Sequence, residues 1–202
     1  MEHKRRTQSD RTAATRAALV AAARELFGSR GFADVGTEEI VGAAGVSRGA
    51  LYHQFADKTE LFAAVFEEVE AELTQRIGAV MAARAATDPA QALETGVGAW
   101  LDACAEPAVQ RVVLLDAPSV LGWERFREIG MRYGLGLVEA GLAGAMEAGA
   151  LARRPVRPLA HLLVGALDEA ALYLARAPDP AAARAEVEAT IAALLSGLRP
   201  AG

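Results

Sequence analysis

Two short apolar-faced segments meet at a tight turn between Thr37 and Phe55, and this stretch constrains the chain more than any other. In the first segment Ile40, Val41 and Ala44 recur at helical spacing. Thr37 is placed as its cap, with Glu38 and Glu39 in the first turn, where negative charge favours the helix dipole. Gly45 follows and is free to take the left-handed conformation that ends a helix. Ser47 is placed as the cap of a second helix, with Ala50 and Leu51 on its inner side. Two short helices across a Gly-containing turn make the helix-turn-helix plan, whose second helix enters the DNA major groove.

The rest of the chain reads as helix too. Hydrophobic residues make up 52% of 202 residues, much of it alanine, and aromatics only 5%. Such sequence favours helices, and no stretch alternates strictly enough to predict a strand. We expect an all-α fold of about nine helices. The first runs from a cap at Ser9 or Asp10 to about Ser29, with Leu19, Ala22, Ala23, Leu26 and Phe27 on one face. Phe32 and Val35 in the next loop read as anchors against that face. A long helix starts at the Asp57 cap, with Glu60 completing an Asp version of the capping box, and runs to about Ala83. Pro89, Pro107, Pro158 and Pro180 stand at further helix starts. Pro118-Ser119 breaks the chain before a long helix through Trp123, Phe126, Tyr133, Leu137 and Met146, and residues 150–157 form a linker. The division is a helix-turn-helix domain over 1–56 and a second helical domain over 57–202, entered by the long helix.

The net charge of −5 argues against a protein that coats nucleic acid, but the charge is unevenly spread. Residues 1–58 hold nine Lys/Arg against seven Asp/Glu, and the remainder 12 against 19. A mildly basic head on an acidic body fits one DNA-facing module. The basic start, Lys4-Arg5-Arg6, reads either as a frayed terminus or as an arm to the minor groove or phosphates. A lone cysteine, Cys104, forms no intramolecular disulfide and suits a reducing cytoplasm. The N-terminus lacks the apolar segment of a signal peptide, and runs such as Leu159–Leu167 fall short of a membrane span, so no membrane partner is expected. Enzyme motifs are missing. Gly134-x-Gly136 has Glu139 where a third glycine belongs, and His3, His53 and His161 are far apart. No cofactor and no metal are expected.

Several flanking residues narrow the reading. These are Leu26-Phe27 with Gly31-Phe32, Thr37-x-x-Ile40, Ala43-Ala44-Gly45-Val46-Ser47, Gly49-x-Leu51-Tyr52-x-x-Phe55 and Lys58-x-x-Leu61. Together they resemble the TetR (tetracycline-repressor-like) family of bacterial transcription regulators. Beyond residue 66 the likeness is one of helix layout, with Arg111 to Tyr133 similar to a C-terminal domain of one branch. The resemblance implies a cytoplasmic homodimer whose first three helices bind a pseudo-palindromic operator in double-stranded DNA. It also implies that the last two helices pair with those of a second subunit, and that a small effector moves the helix from Asp57. Repression is the family's usual mode.

The residues themselves give candidates for each role. On the second helix of the motif Ser47, Arg48, Gly49, Tyr52 and His53 are outward. Arg48 is its only long basic side chain and suits guanine, while Tyr52 and His53 suit phosphates. Gly49 costs helix stability, on the order of 1 kcal/mol relative to Ala, which close approach to DNA would justify. Thr37 at a helix N-terminus and Lys58 in the first turn of the long helix are further phosphate candidates. In the body Trp100, Cys104, Trp123, Phe126 and Tyr133 are candidates for an apolar effector pocket, with ordinary core packing as the alternative. Asp168-Glu169 interrupts an apolar helix and reads as a solvated face or a polar contact at a dimer seam. Leu163, Leu167, Leu174, Ile191, Leu194, Leu195 and Leu198 lie on helices too apolar to stand alone, and are the dimer-interface candidates. Two other readings stand beside this one: a helical binding protein whose head has lost DNA, and a constitutive DNA binder without effector.

Overall fold

The computed structural model describes residues 8–200; Lys4-Arg5-Arg6 lie outside them. Among the described residues there is no strand. The head comprises α1 (Gln8–Arg30), α2 (Thr37–Ala44) and α3 (Arg48–Gln54). The body comprises α4 (Lys58–Ala85), α5 (Pro89–Ala105), a continuous helical stretch α6 over 107–121, α7 (Trp123–Glu147), α8 (Val156–Arg176) and α9 (Pro180–Ser196).

The local signals placed most boundaries. Gly31 ends α1 with φ 88°. Gly45 ends α2 with φ 66°, as the turn requires. Ser47 Oγ accepts the Ala50 N–H at 3.2 Å, and Asp57 accepts the Glu60 N–H at 2.9 Å. Other expectations need correction. Gln8, the first described residue, is already helical, so neither Ser9 nor Asp10 caps α1. The residue capping α2 is Gly36, one before Thr37, and its N–H donates to the Glu39 carboxylate at 3.0 Å. At Asp57 the capping box stays half-made, because the Glu60 carboxylate turns away to Arg125 of α7 in a bidentate pair. Pro118 does not break the chain: it sits in the first turn of the α-helical segment Ala117–Leu121 that closes α6, and Gly122, at φ 77°, makes the break. A proline's missing N–H is harmless near the start of a helical turn, whereas a positive φ cannot be continued into a helix. Helix α8 starts at Val156, two residues before Pro158.

One hydrophobic core runs through head and body. In the head Leu19, Phe27, Ile40 and Leu51 are fully buried, and Phe27, Phe32 and Phe62 pack together with centroids 5.3–5.6 Å apart, the Phe32–Phe62 pair edge to face. Phe62 belongs to α4, so the long helix closes the head's core as well as entering the body. The middle of α6, Gln110–Asp116, winds as a π-helix, a form often found at functional sites. Its start lies hard against α1: a Cβ on Gly28 would stand 3.0 Å from Ala108 Cβ. Its end accepts the Phe32 N–H on Asp116 at 2.7 Å.

Candidate nucleic-acid interface and effector cleft

In the head, α3 packs through Leu51 and leaves its other side open. Ser47, Arg48, Gly49, Tyr52 and His53 are all exposed there, with Tyr52 46% exposed. Arg48 Nη1 pairs with Glu38 of α2 at 2.8 Å, and its guanidinium lies over the Tyr52 ring at 5.6 Å. Both partners of that ion pair are well solvated, so it holds Arg48 only weakly and leaves it free to exchange partners. A Cβ on Gly49 would meet only Ser47 Oγ, at 3.9 Å, so nothing inside the protein demands glycine at this position. Thr37 is half-buried in the first turn of α2. The structure adds a residue that sequence reasoning missed. Arg16 of α1 is exposed and lies over the Phe55 ring, 5.1 Å from its centroid, at the C-terminal end of α3. Its distance along the chain hid it.

Lys58 has a structural job that the sequence did not suggest. Its Nζ donates to the Phe32 and Val35 carbonyls at 2.9 and 3.0 Å and sits 4.0 Å from the Phe32 ring centre. It thereby pins the loop between α1 and α2 to the start of α4. Beside it Arg30 donates to the Asp34 carbonyl and pairs with Glu39, and the Arg30–Glu39 hydrogen bond, with that from the Gly36 N–H, holds the Glu39 carboxyl below its usual range. Lys58→Ala is expected to lower head stability by about 1–3 kcal/mol and to leave the salt dependence of DNA binding unchanged. Melting curves and affinity titrations at several salt concentrations check both, and a shallower salt slope would make Lys58 a phosphate contact.

In the body a cleft of about 870 Å³, including space at its open mouth, lies among α4 to α8. Leu73, Ile77 and Leu137 belong to its mainly apolar wall. Trp100 and Phe126 line it as expected; Cys104, Trp123 and Tyr133 do not. Cys104 is buried beside it, and burial, with the nearby Glu70 and Asp168, pushes its thiol up. Trp123 is 68% exposed, resting on Phe126 with centroids 5.8 Å apart, because Gly122 starts α7 there at the surface. Tyr133 is half-buried against the core.

The polar groups of the cleft were mostly unforeseen. Glu70 is only 6% exposed, and burial with the charge of Asp168 pushes its carboxyl up to about 8. Asp168 of α8 is pushed up to about 6 by burial, although Arg127 of α7 bonds it at 2.8 Å. The interruption of α8 is therefore an internal contact to Arg127 at Asp168 and an exposed side chain at Glu169. A signal for Glu70 existed: Phe66, Leu73 and Ile77 lie four before, three after and seven after it, so it occupies an apolar register. Among the described residues no group of three or more His, Cys, Asp or Glu is placed to hold a metal.

Residues 19–65 match the model of bacterial regulatory proteins of the tetR family, and residues 90–198 that of the tetracyclin repressor-like C-terminal domain. A TetR-family transcriptional regulator from Pectobacterium atrosepticum has the same fold, with TM-score 0.84 and 34% identity over 97% of this chain and 99% of that one. The chain belongs to the TetR family. Among curated relatives, the HTH-type transcriptional regulator CymR of Pseudomonas putida is 43% identical over 82 residues, 41% of this chain and 40% of its own length. The Transposon Tn10 TetC protein of Escherichia coli is 28% identical over 144 residues, 69% of each. This chain thus spans less than half of CymR and about two thirds of TetC. The TetR family is one of transcriptional regulators and not of enzymes, and it accounts for a helix-turn-helix joined to an all-helical body.

Proposed function

We propose that the protein is a homodimeric repressor that binds a pseudo-palindromic operator and is released by a small apolar effector. The observation that carries this reading is the open side of α3, where Arg48, Tyr52 and His53 flank a glycine with no internal reason to be glycine. Arg48 leaves Glu38 for a base edge. Ser47, Tyr52, His53, Thr37 and Arg16 position the head on phosphates. One head makes few such contacts, so two are needed, about 34–36 Å apart in successive major grooves.

The second copy is supported by the outer side of α8 and α9. Helix α8 is long and apolar enough to cross a membrane by length and composition, more so than the short apolar runs suggested, yet only 17% of its most apolar window is buried. It packs on α7 and pairs with it through Asp168, which makes it a body helix. Its outer stripe is Leu162, Ala166, Glu169 and Tyr173; Leu162 is 73% exposed, and Leu194 on α9 is 62% exposed. Covering such a stripe with the same stripe of a second copy gives a closed dimer. Of the interface candidates, Leu194 suits this face. Leu167, Ile191 and Leu195 turn inward, while Leu163, Leu174 and Leu198 are half-buried at its edge.

A route from cleft to head supports effector control. Val113 and Leu114 of the π-helix line the cleft, and the same segment holds the head through Asp116 and Phe32. Arg125 of α7 grips Glu60 in the first turn of α4. An effector that shifts α6 or α7 changes the head's setting, and coupling of the two affinities is reciprocal.

Selection of bound sequences from random duplex DNA tests the proposal. A palindrome with half-sites one helical turn apart is expected; unstructured or sequence-blind binding would sink it. Arg48→Ala should then relax preference at one base position per half-site by about 1–3 kcal/mol, read by affinity for single-base operator variants.

A further inference from the structure

We infer that the cleft takes a hydrophobic cation, a molecule with an apolar body and one protonated or quaternary nitrogen, received by the Glu70 carboxylate and the indole of Trp100. The inference rests on the reading of this cleft as the effector site. Glu70 is 6% exposed, lines the cleft and has no hydrogen-bond or ion-pair partner among the described residues. Trp100 lines the same cleft and brings its indole ring to it. A buried carboxyl without a partner is costly, and its retention needs a reason.

The charges around it narrow the ligand. Arg127, the one basic residue lining the cleft among the described residues, already bonds Asp168 at 2.8 Å. With both carboxylates ionised the lining carries a net charge of −1, from Glu70, Asp168 and Arg127. An anion would meet two carboxylates and a guanidinium already engaged. A neutral molecule would leave the Glu70 carboxyl protonated and gain no charge interaction from it. A cation supplies the missing charge where little water screens it, and an indole face adds cation–π attraction. The apolar wall of Leu73, Ile77, Phe126 and Leu167 takes the body of the molecule.

Calorimetric titration of the full-length protein with three probes of one shape decides the matter: phenylbutyltrimethylammonium, phenylbutanol and phenylbutyrate. The ammonium is expected to bind roughly ten- to a hundredfold tighter than the alcohol, the carboxylate weakest. In Glu70→Gln, which keeps the shape, the ammonium should lose that advantage while the alcohol is unaffected; melting curves confirm the fold. Failure of the ammonium to bind, equal or tighter binding of the alcohol or the carboxylate, or an advantage surviving Glu70→Gln would each overturn the inference. Operator release is followed in parallel. Ammonium binding without release leaves the ligand class standing and removes the release mechanism. Release by the carboxylate without ammonium binding does the reverse.

Discussion

Glu70→Gln stabilises the ligand-free protein at neutral and alkaline pH and leaves its stability unchanged in mild acid. The carboxyl ionises at about 8 in the folded chain, against an ordinary value of 4.5. Between those values the unfolded chain has released a proton that the folded chain still holds, so stability falls as pH rises from about 4.5 to about 8 and then levels off. At pH 7 the penalty is on the order of 3 kcal/mol, taking 1.36 kcal/mol per pH unit. For a chain of this length that corresponds to a melting difference of roughly 6–12 °C. Asp168 titrates in the same sense over a lower range, but it does so in both proteins and cancels in the comparison. Scanning calorimetry of the two proteins from mild acid to mild alkali reads the difference directly. Parallel stability profiles would mean that Glu70 is ionised and solvated in the apo protein. The same experiment bears on function, because a side chain that destabilises the free protein is one that a ligand can relieve.

Leu162→Arg combined with Leu194→Arg should produce a folded monomer with little operator affinity. Both side chains are largely exposed in the single chain, at 73% and 62%, so neither change disturbs its core. Across a two-fold axis, however, each arginine meets apolar surface and its own like charge. Losing the partner turns the second head's binding from an intramolecular event into a separate one, a loss of roughly 10²–10⁴ in affinity. Sedimentation gives the mass, circular dichroism the fold and fluorescence anisotropy the affinity. A variant that remains dimeric would place the subunit contact elsewhere than the outer stripe of α8 and α9. A monomer that keeps full affinity would show that one head suffices.

The residues that carry the proposed DNA contact were legible because their signals are local. A left-handed glycine at position 45, a serine cap at 47 and a carboxylate cap at 57 each act within a few residues, and each stands where the sequence placed it. Local signals also misled where two candidates competed. Thr37 resembles a cap more than Gly36 does, but the Glu39 carboxylate satisfies the Gly36 N–H and moves the helix start back by one. Pro118 resembles a breaker more than Gly122, but a proline is tolerated in the opening turn of a helical segment.

The cleft was legible only in part. An aromatic at helical spacing marks a buried face without saying which helix covers it. Trp100 and Phe126 therefore reach the cleft, whereas Trp123 ends at the surface because the chain turns at Gly122. Lys58 read as a free cation until the α1–α2 loop came within hydrogen-bonding distance.

By itself, the sequence determined the all-helical class, the order of the helices, the helix-turn-helix and the family, because caps, turns and apolar periodicity act over single turns of chain. Tertiary structure alone decided which charges are shut away and which apolar stripes are left outside. The closing of α4, α5, α7 and α8 around one space strips water from Glu70 and Asp168 and joins Arg127 to the latter. The same packing turns Leu167, Ile191 and Leu195 inward and leaves Leu162 and Leu194 exposed. Desolvation is a property of everything packed around a group, and no stretch of sequence contains it.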